Sequence, residues 1–364
     1  MTKTVLVLGG YGTFGRLICR ELSNHYPVII AGRNLQKAES LANELGQSSV
    51  FPLEFRSIDA TTIEAKALAG IDLLINACGP FQSSDYTVAK CCIQSKTHYI
   101  DLADGRTFVS HIHSLDALAK GAGVSVISGA STVPALSSAV IDYFNTNYFS
   151  NIHTLKYGIT PGQKSPRGLA TSKAILSYLG KPIQSSHQNR YGWQDLYVEN
   201  YPVLGKRMMG NCDIPDLDLF PSYYSIPDIQ FSAGMESRAL HLGIWLTSWF
   251  VRWGLPINLE KHASSLLKLS HFFDILGTDA GGMHMHLKGV GHNNKALKAR
   301  WYLIAKEGHG PHIPTIASMI LTHKILKGRD WSTGAKPCMG MITLEEYLGM
   351  LQGYDIHTEY QLTD

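Results

Sequence analysis

The chain has 364 residues, 45% hydrophobic and 17% charged, which describes a globular protein with a sizeable core and room for one large or two ordinary domains. Its 32 Lys and Arg against 29 Asp and Glu leave a formal charge of +3 with no long basic run, so no nucleic-acid partner is expected. Six cysteines form no Cys-x-x-Cys pair and no secretory signal is read, so free thiols and a cytoplasmic location are the expectation.

The run Thr4-Val5-Leu6-Val7-Leu8 is apolar and partly β-branched, as in a strand buried on both faces. It breaks into glycines and resumes as Arg16–Leu22, whose apolar spacing predicts a helix. Gly10, Gly12 and Gly15, with Tyr11, Thr13 and Phe14 between them, spell G-x-G-x-x-G between strand and helix. Gly10 would take the tight turn, Gly12 would let a pyrophosphate approach the main chain, and Gly15 would let helix and strand pack closely. The helix start would then offer N–H groups and its positive dipole end to the phosphates. A tight turn in some other α/β fold is the competing reading, and it leaves the glycine spacing unexplained.

A second strand, Pro27–Ala31, ends in Gly32-Arg33-Asn34, where such a unit meets the adenosine ribose. An acid there would bind the 2′-hydroxyl of NAD. Arg33 instead suits the 2′-phosphate of NADP, so NADP is the expected cofactor and NAD the alternative. The helix Leu35–Leu45 closes on Gly46 as a C-cap. A third strand ends near Ser57–Ala60, with Asp59 either accepting from the adenine amino group or capping the next helix. The fourth, within Gly70–Phe81, carries Asn76, Ala77 and Cys78 into the turn Gly79-Pro80, placed near the nicotinamide half. Cys78 reads as a small packed hydrophobe rather than a reactive thiol. A helix over Tyr86–Ser95, a strand His98–Leu102, a helix over Phe108–Lys120 and a strand within Gly123–Ala130 follow. This alternation predicts an α/β fold with an N-terminal Rossmann-type, doubly wound parallel sheet.

These residues resemble the saccharopine dehydrogenase family. The resemblance runs through Gly9–Gly15, Ala31-Gly32-Arg33, Ile75–Phe81 and His98–Leu102, and towards the end through Gly308–Pro314 and Gly334–Gly340; the middle, Pro182 to Lys295, aligns with nothing. The resemblance implies an NADP-binding Rossmann domain followed by a mixed α/β domain, with the active site between them, and a pyridine-nucleotide oxidoreductase. It leaves the substrate open.

In the second half, Ser131–Pro134 leaves the sheet and a helix Leu136–Asn145 crosses to the second domain. A strand Ile152–Thr160 leads to the loop Pro161–Gly168 and the helix Leu169–Leu179. Lys164 and Arg167 there suit an anionic group, or belong to an ordinary surface loop. Pro202–Pro227 reads as a long loop over the site, and Leu259–Leu276 as a helix. Met283–Val290 and Lys295–Lys306 read as paired strands, the second with Leu297, Ala299, Trp301, Leu303 and Ala305 on its core face. The helix Thr315–Leu326 stops at Gly328, and the tail Thr343–Leu351 is one more helix. The expected division is 1–135 for cofactor binding, 136–330 for substrate and dimerisation, and 331–364 as a segment returning to the first domain.

Hydride transfer needs a proton donor or acceptor beside the reacting atom. The candidates are Asp101 and His98 on the Rossmann side, and His309 and His312 at the second Gly-Pro turn; Asp101 equally suits a hold on the nicotinamide ribose. Sixteen histidines raise a metal, but no acid or thiolate pattern joins His284 and His286, and no metal site is assigned. The expected partner is a small molecule, with a homodimer compatible. The apolar stretch Leu242–Leu255 is shorter than the ~20 residues of a membrane span. It reads as a core or partner-facing helix, with peripheral membrane contact as the alternative. The leading function is therefore an NADP-dependent oxidoreductase acting at a C–N or C=O bond of a carboxylate-bearing substrate. The alternative is a non-catalytic NADP sensor or scaffold.

Overall fold

The computed structural model describes residues 2–183, 190–255, 259–328 and 331–364. The chain begins β1 (Val5–Leu8), α1 (Thr13–Leu22), β2 (Val28–Gly32), α2 (Leu35–Gly46), β3 (Leu53–Ser57), β4 (Leu73–Asn76), α3 (Thr87–Gln94), β5 (His98–Asp101), α4 (Arg106–Ser110), α5 (Asp116–Ala122), β6 (Ser125–Ser128) and α6 (Ser137–Asn147). It continues with β7 (Phe149–Thr160), α7 (Leu169–Ser177), β8 (Pro182–Ile183), β9 (Arg190–Tyr191), β10 (Tyr197–Tyr201), β11 (Gly205–Asn211), α8 (Asp216–Tyr223), β12 (Asp228–Met235), α9 (Arg238–Arg252) and α10 (Ala263–His271). The remaining elements are β13 (Gly281–Gly291), β14 (Ala296–Ala305), α11 (Ile316–Lys327), β15 (Gly334–Pro337), α12 (Leu344–Gly349) and β16 (Ile356–Thr363). Contacts divide the chain into two units, Met1–Val140 with His312–Met350, and Ile141–Pro311 with Leu351–Asp364.

The first unit is built on a seven-stranded sheet of order β15-β6-β5-β4-β1-β2-β3, parallel throughout. All four residues of β1 are fully buried, as covered parallel strands require, and each such Leu or Val contributes roughly 1.5–3 kcal/mol by leaving water. Ile18, Cys19 and Leu22 form the buried stripe of α1. The strand order runs outward in both directions from the β1–β4 pair, where Leu8 lies opposite Asn76. Connections diverge there, which opens a crevice at the carboxyl ends of the strands.

The second unit carries another seven-stranded sheet, β10-β11-β12-β7-β13-β14-β16, antiparallel except for β12 with β7. It curls until side chains of β10 meet those of β13 and β14: Tyr201 reaches His284, and Tyr302 reaches Glu199. The fold is thus the α/β class expected, with a parallel Rossmann-like sheet and a second mixed sheet. Ala299, Trp301, Leu303 and Ala305 are buried on one side of β14, as the period of two predicted, but Leu297 is only partly buried, and Tyr302 and Ile304 on the other side are buried too.

Several expectations need correction. Pro202–Pro227 is no long loop: it holds β11 and α8. The glycines and prolines bounding these short elements mask their periodicity. The helix over Phe108–Lys120 is broken, because α4 ends at Ser110 and a 3₁₀ turn over Ile112–Leu115 precedes α5. Likewise Leu259–Leu276 is a 3₁₀ turn, α10 and a second 3₁₀ turn. Gly46 is the last residue of α2, with right-handed Gln47 following it, so it makes no left-handed cap. Among the strands that went unread, β8, β9, β10 and β12 lie in the stretch Pro182–Lys295 that aligned with nothing, and β15 and β16 lie near the end. β15 is four residues without a β-branched side chain, set in register by β6. β16 is an exposed edge strand whose polar residues hide the pattern.

Candidate cofactor site and a buried polar network

At the end of β1 the chain turns at Gly9, whose φ is +81°, a left-handed conformation that favours glycine. Sequence reasoning assigned that role to Gly10. Gly10 instead has no room, since a Cβ there would lie 2.9 Å from Ile30 Cγ2 and from Val7 O. A Cβ on Gly15 would fall 2.2 Å from Gly9 O, so helix and turn touch as the motif predicts. Gly12 differs: its Cβ would meet Gly9 O alone, at 3.1 Å, leaving its outer side open. Gly12 is also the N-cap of α1, without a side-chain cap and with no acid in the first turn. The leading N–H groups of Thr13, Phe14 and Gly15 and the helix dipole therefore face a position suited to an anion.

Tyr11 lies across the end of β2. Its hydroxyl accepts from the Asn34 N–H at 3.0 Å, and a Cβ on Gly32 would come within 2.6 Å of its ring. Asn34 caps α2 by accepting from the Lys37 N–H at 2.9 Å. Arg33, between them, is exposed. Asp59 spends its Oδ1 on the Thr61 N–H and hydroxyl, at 2.9 and 2.8 Å, a local turn rather than a cap on a following helix. Those two bonds, with the Arg33 charge, hold its carboxyl below the usual range. The Arg33 guanidinium thus lies within electrostatic reach of Asp59 and Cys78, beside the turn.

From β4, Asn76 Oδ1 accepts from the Cys78 N–H at 3.0 Å, while its Nδ2 donates to the Tyr99 hydroxyl at 3.2 Å. Ala77 N–H bonds to Leu8 O at 2.8 Å, and Gly79-Pro80 follows as a cis peptide. Cys78 packs against Gly9, and burial pushes its thiol up to about 11. It is unreactive at neutral pH. Glycine turn, Tyr11, Asn34 and the Asn76–Cys78 segment all gather at the carboxyl edge of the sheet, with Arg33 and Asp59 alongside.

Of the four proton-transfer candidates, three lie in the first unit and His309 in the second. Asp101 ends β5 at this edge but is fully buried. Its Oδ1 accepts from the Ala103 N–H, the Gly129 N–H and the Ser128 hydroxyl at 2.8–2.9 Å, and its Oδ2 makes no hydrogen bond of good geometry. Burial pushes the carboxyl up to about 6 against the pull of those donors. His98 begins β5, opposite Leu73, at the other end of the parallel strands, where its Nδ1 accepts from the Ser125 N–H. His309 belongs to the second unit, its Nδ1 accepting from the Asp355 N–H beside the Tyr354 ring. His312 belongs to the first unit, where its carbonyl accepts from the Thr315 hydroxyl.

The second unit holds a polar network that sequence reasoning missed. Glu199 of β10 joins His284 and His286, whose shared direction the strand period did predict. Its Oε1 lies 3.4 Å from His286 Nε2 and accepts from the Tyr302 hydroxyl at 2.9 Å; its Oε2 lies 3.8 Å from His284 Nε2. Tyr201 and Tyr197 meet the two nitrogens of His284 at 2.7 and 3.2 Å. Burial drives fully enclosed His284 toward its neutral form and would raise Glu199 too. Hydrogen bonding from His286 and Tyr302 outweighs that and keeps the carboxylate below its usual range. Glu199 went unread because its partners lie more than eighty residues away. In the same unit Arg167 is bound by Asp274, which removes it as an anion ligand of the Pro161–Gly168 loop. Among the described residues no group of three or more His, Cys, Asp or Glu could hold a metal ion.

The family model described as the saccharopine dehydrogenase NADP binding domain matches residues 5–127. The match spans β1 to β6 and so contains the glycine turn and Arg33. Over its whole length the chain is similar to apo histidine-tagged saccharopine dehydrogenase (L-Glu forming) from Saccharomyces cerevisiae, at 14% identity with all of both chains covered and a TM-score of 0.68. That likeness shows the shared fold. Looser matches are GenD2 from gentamicin A biosynthesis in complex with NAD (13% identity, 96% of this chain and 91% of that one, TM-score 0.44) and FolM alternative dihydrofolate reductase 1 from Brucella canis complexed with NADP (20%, 35% and 71%, 0.28). Neither bears on the assignment. No curated protein matches the chain by sequence.

Proposed function

We propose that this protein is an NADP-dependent oxidoreductase acting at a C–N or C=O bond of a carboxylate-bearing substrate. The observation that carries the reading is the open glycine turn at the uncapped, acid-free start of α1, with Arg33 beside it at the end of β2. The likeness in fold to an enzyme named for saccharopine, L-Glu forming, supports an amino-acid-like substrate class.

Bound NADPH supplies the hydride. The N–H groups of α1 and the bare Gly12 hold the pyrophosphate. Arg33 pairs with the 2′-phosphate through charge-assisted hydrogen bonds. Asn76 fixes the backbone of Cys78, and with it the turn at Gly79-Pro80, on the nicotinamide side. Asp101 is a positioning residue: sealed from solvent, it ties Ala103 after β5 to Gly129 after β6.

Titration with NADPH and NADH, and NADPH oxidation against a panel of keto acids with and without amines, test this reading. Turnover by at least one keto acid–amine pair is expected. Arg33→Ala should weaken NADPH binding roughly ten- to hundredfold, the worth of one or two lost charge-assisted bonds, while NADH binding stays nearly unchanged. Equal losses for both cofactors would remove the role of Arg33. Tight NADPH binding with no turnover on any pair would favour a non-catalytic sensor.

A further inference from the structure

Between β12 and β13 the second unit carries helical stretches described over 237–255 and 259–277. Their outer ends are clamped by Glu236, whose Oε2 accepts from the Gln163 and Thr278 N–H groups, both at 2.8 Å, while Oε1 accepts from the Thr278 hydroxyl. The inner face of α9 is set by His241 and Ser248, both fully buried, and by Gly180, where a Cβ would lie 2.2 Å from Ser248 O. Arg252 turns inward as well, stacking on Tyr191 and donating to Gln194.

The opposite face is apolar and open. Leu242, Leu246, Phe250 and Trp253 recur at i, i+4, i+8 and i+11 and form one stripe, with exposures of 44, 51, 37 and 69%. The 3₁₀ turn that follows α10 exposes two more apolar side chains, Phe272 and Ile275, at 75 and 83%. A soluble helix turns such residues inward; here the inner face is occupied and the bulky side chains point to water.

The charge around them is one-sided. Stretches 163–181 and 238–276, which meet where α7 packs on α10 and Gly180 on Ser248, together carry eight Lys and Arg against two acids, Glu260 and Asp274, in a chain whose whole excess is three; with Arg252 turned inward and Arg167 held by Asp274, six basic residues face Glu260 alone. Outside these stretches the chain is therefore net acidic. A second copy docking through the same face would set basic fringe against basic fringe, which association disfavours. Aromatic and leucine side chains between cations match the interface of an anionic bilayer, where apolar groups enter the acyl boundary and cations meet headgroup phosphates. No helix of the described residues is long and apolar enough to cross a membrane. We infer that α9, with the 3₁₀ turn after α10, docks this protein peripherally on an anionic lipid surface.

The test is co-sedimentation of the full chain with vesicles of phosphatidylcholine alone or mixed with phosphatidylglycerol, followed by tryptophan emission. Binding to the anionic vesicles is expected, with a blue shift as Trp253 leaves water and weakening as salt rises. Phe250→Ser with Trp253→Ser should abolish it. Arg238→Glu with Lys268→Glu should cut it more than about tenfold, since each basic residue near such a surface is worth roughly fivefold in partition. The thermal unfolding of every variant should match the parent, which separates loss of docking from loss of fold. Failure to bind anionic vesicles, or a dimer in solution that the Phe250→Ser, Trp253→Ser variant dissolves, would overturn the proposal in favour of a protein partner for this face.

Discussion

In the first unit the sheet ends in backbone donors that no side chain caps, at the start of α1, whereas in the second unit Glu199, His284, His286, Tyr201 and Tyr302 close on one another inside a curled sheet. The same contrast recurs in two buried carboxyls. Asp101 receives three donors on one oxygen and none of good geometry on the other, and burial raises it to about 6. Glu199 Oε1 accepts from Tyr302 and lies 3.4 Å from His286, with His284 3.8 Å from Oε2, and these partners hold it below its usual range. Burial sets the cost of a charge, and the distribution of partners decides whether the charge is kept. An unfilled set of donors is what a ligand site requires; a closed set holds strands together.

The contrast fails most visibly if the glycine turn tolerates a charge. Gly12→Asp has room, because the residue is extended and its Cβ meets only Gly9 O, yet it places an anion where phosphate is expected. NADPH binding should fall beyond about a hundredfold by titration, with unchanged thermal unfolding. A loss confined to stability would mean that the turn is structural.

Glu199→Gln tests the closed network. It leaves histidines and a tyrosine facing an amide, and should cost roughly 3–5 kcal/mol in urea unfolding at neutral pH, with NADPH affinity of the folded protein unchanged. The folded-state acidity of Glu199 is increased, so the deficit should be full above the unfolded carboxylate range and fade as pH falls through the lower folded range. A pH-independent deficit would assign the effect to packing alone.

Asp101→Asn sharpens the other half of the comparison. A carboxyl raised from 3.8 to about 6 binds its proton in the folded state while the unfolded chain has lost it. Wild-type stability should therefore fall between pH 3.8 and about 6, by about 3 kcal/mol, and stay level above that range. In the variant that fall should vanish, as read from urea midpoints across pH. An identical profile in both proteins would place the titration elsewhere.

Much of the first unit was legible because its signals are local. A buried parallel strand reads as a continuous apolar run, as in Val5–Leu8, and the turn after it carries glycines for steric reasons that spacing reveals. Arg33 was legible because its place at the end of β2 follows from that unit. What escaped depends on contacts distant in sequence. β15 has little strand character of its own and is held by β6; β16 is polar because it is an edge. Glu199 gains meaning only when the sheet curls to bring β10 over β13. The left-handed residue of the turn proved to be Gly9 rather than Gly10, a distinction that depends on Ile30 crowding Gly10.

The most direct measurement is calorimetric titration of the purified protein with NADPH and NADH, repeated on Arg33→Ala. The account predicts saturable NADPH binding that is roughly ten- to hundredfold tighter than NADH binding, and a preference that collapses in the variant. No affinity for either dinucleotide would contradict it.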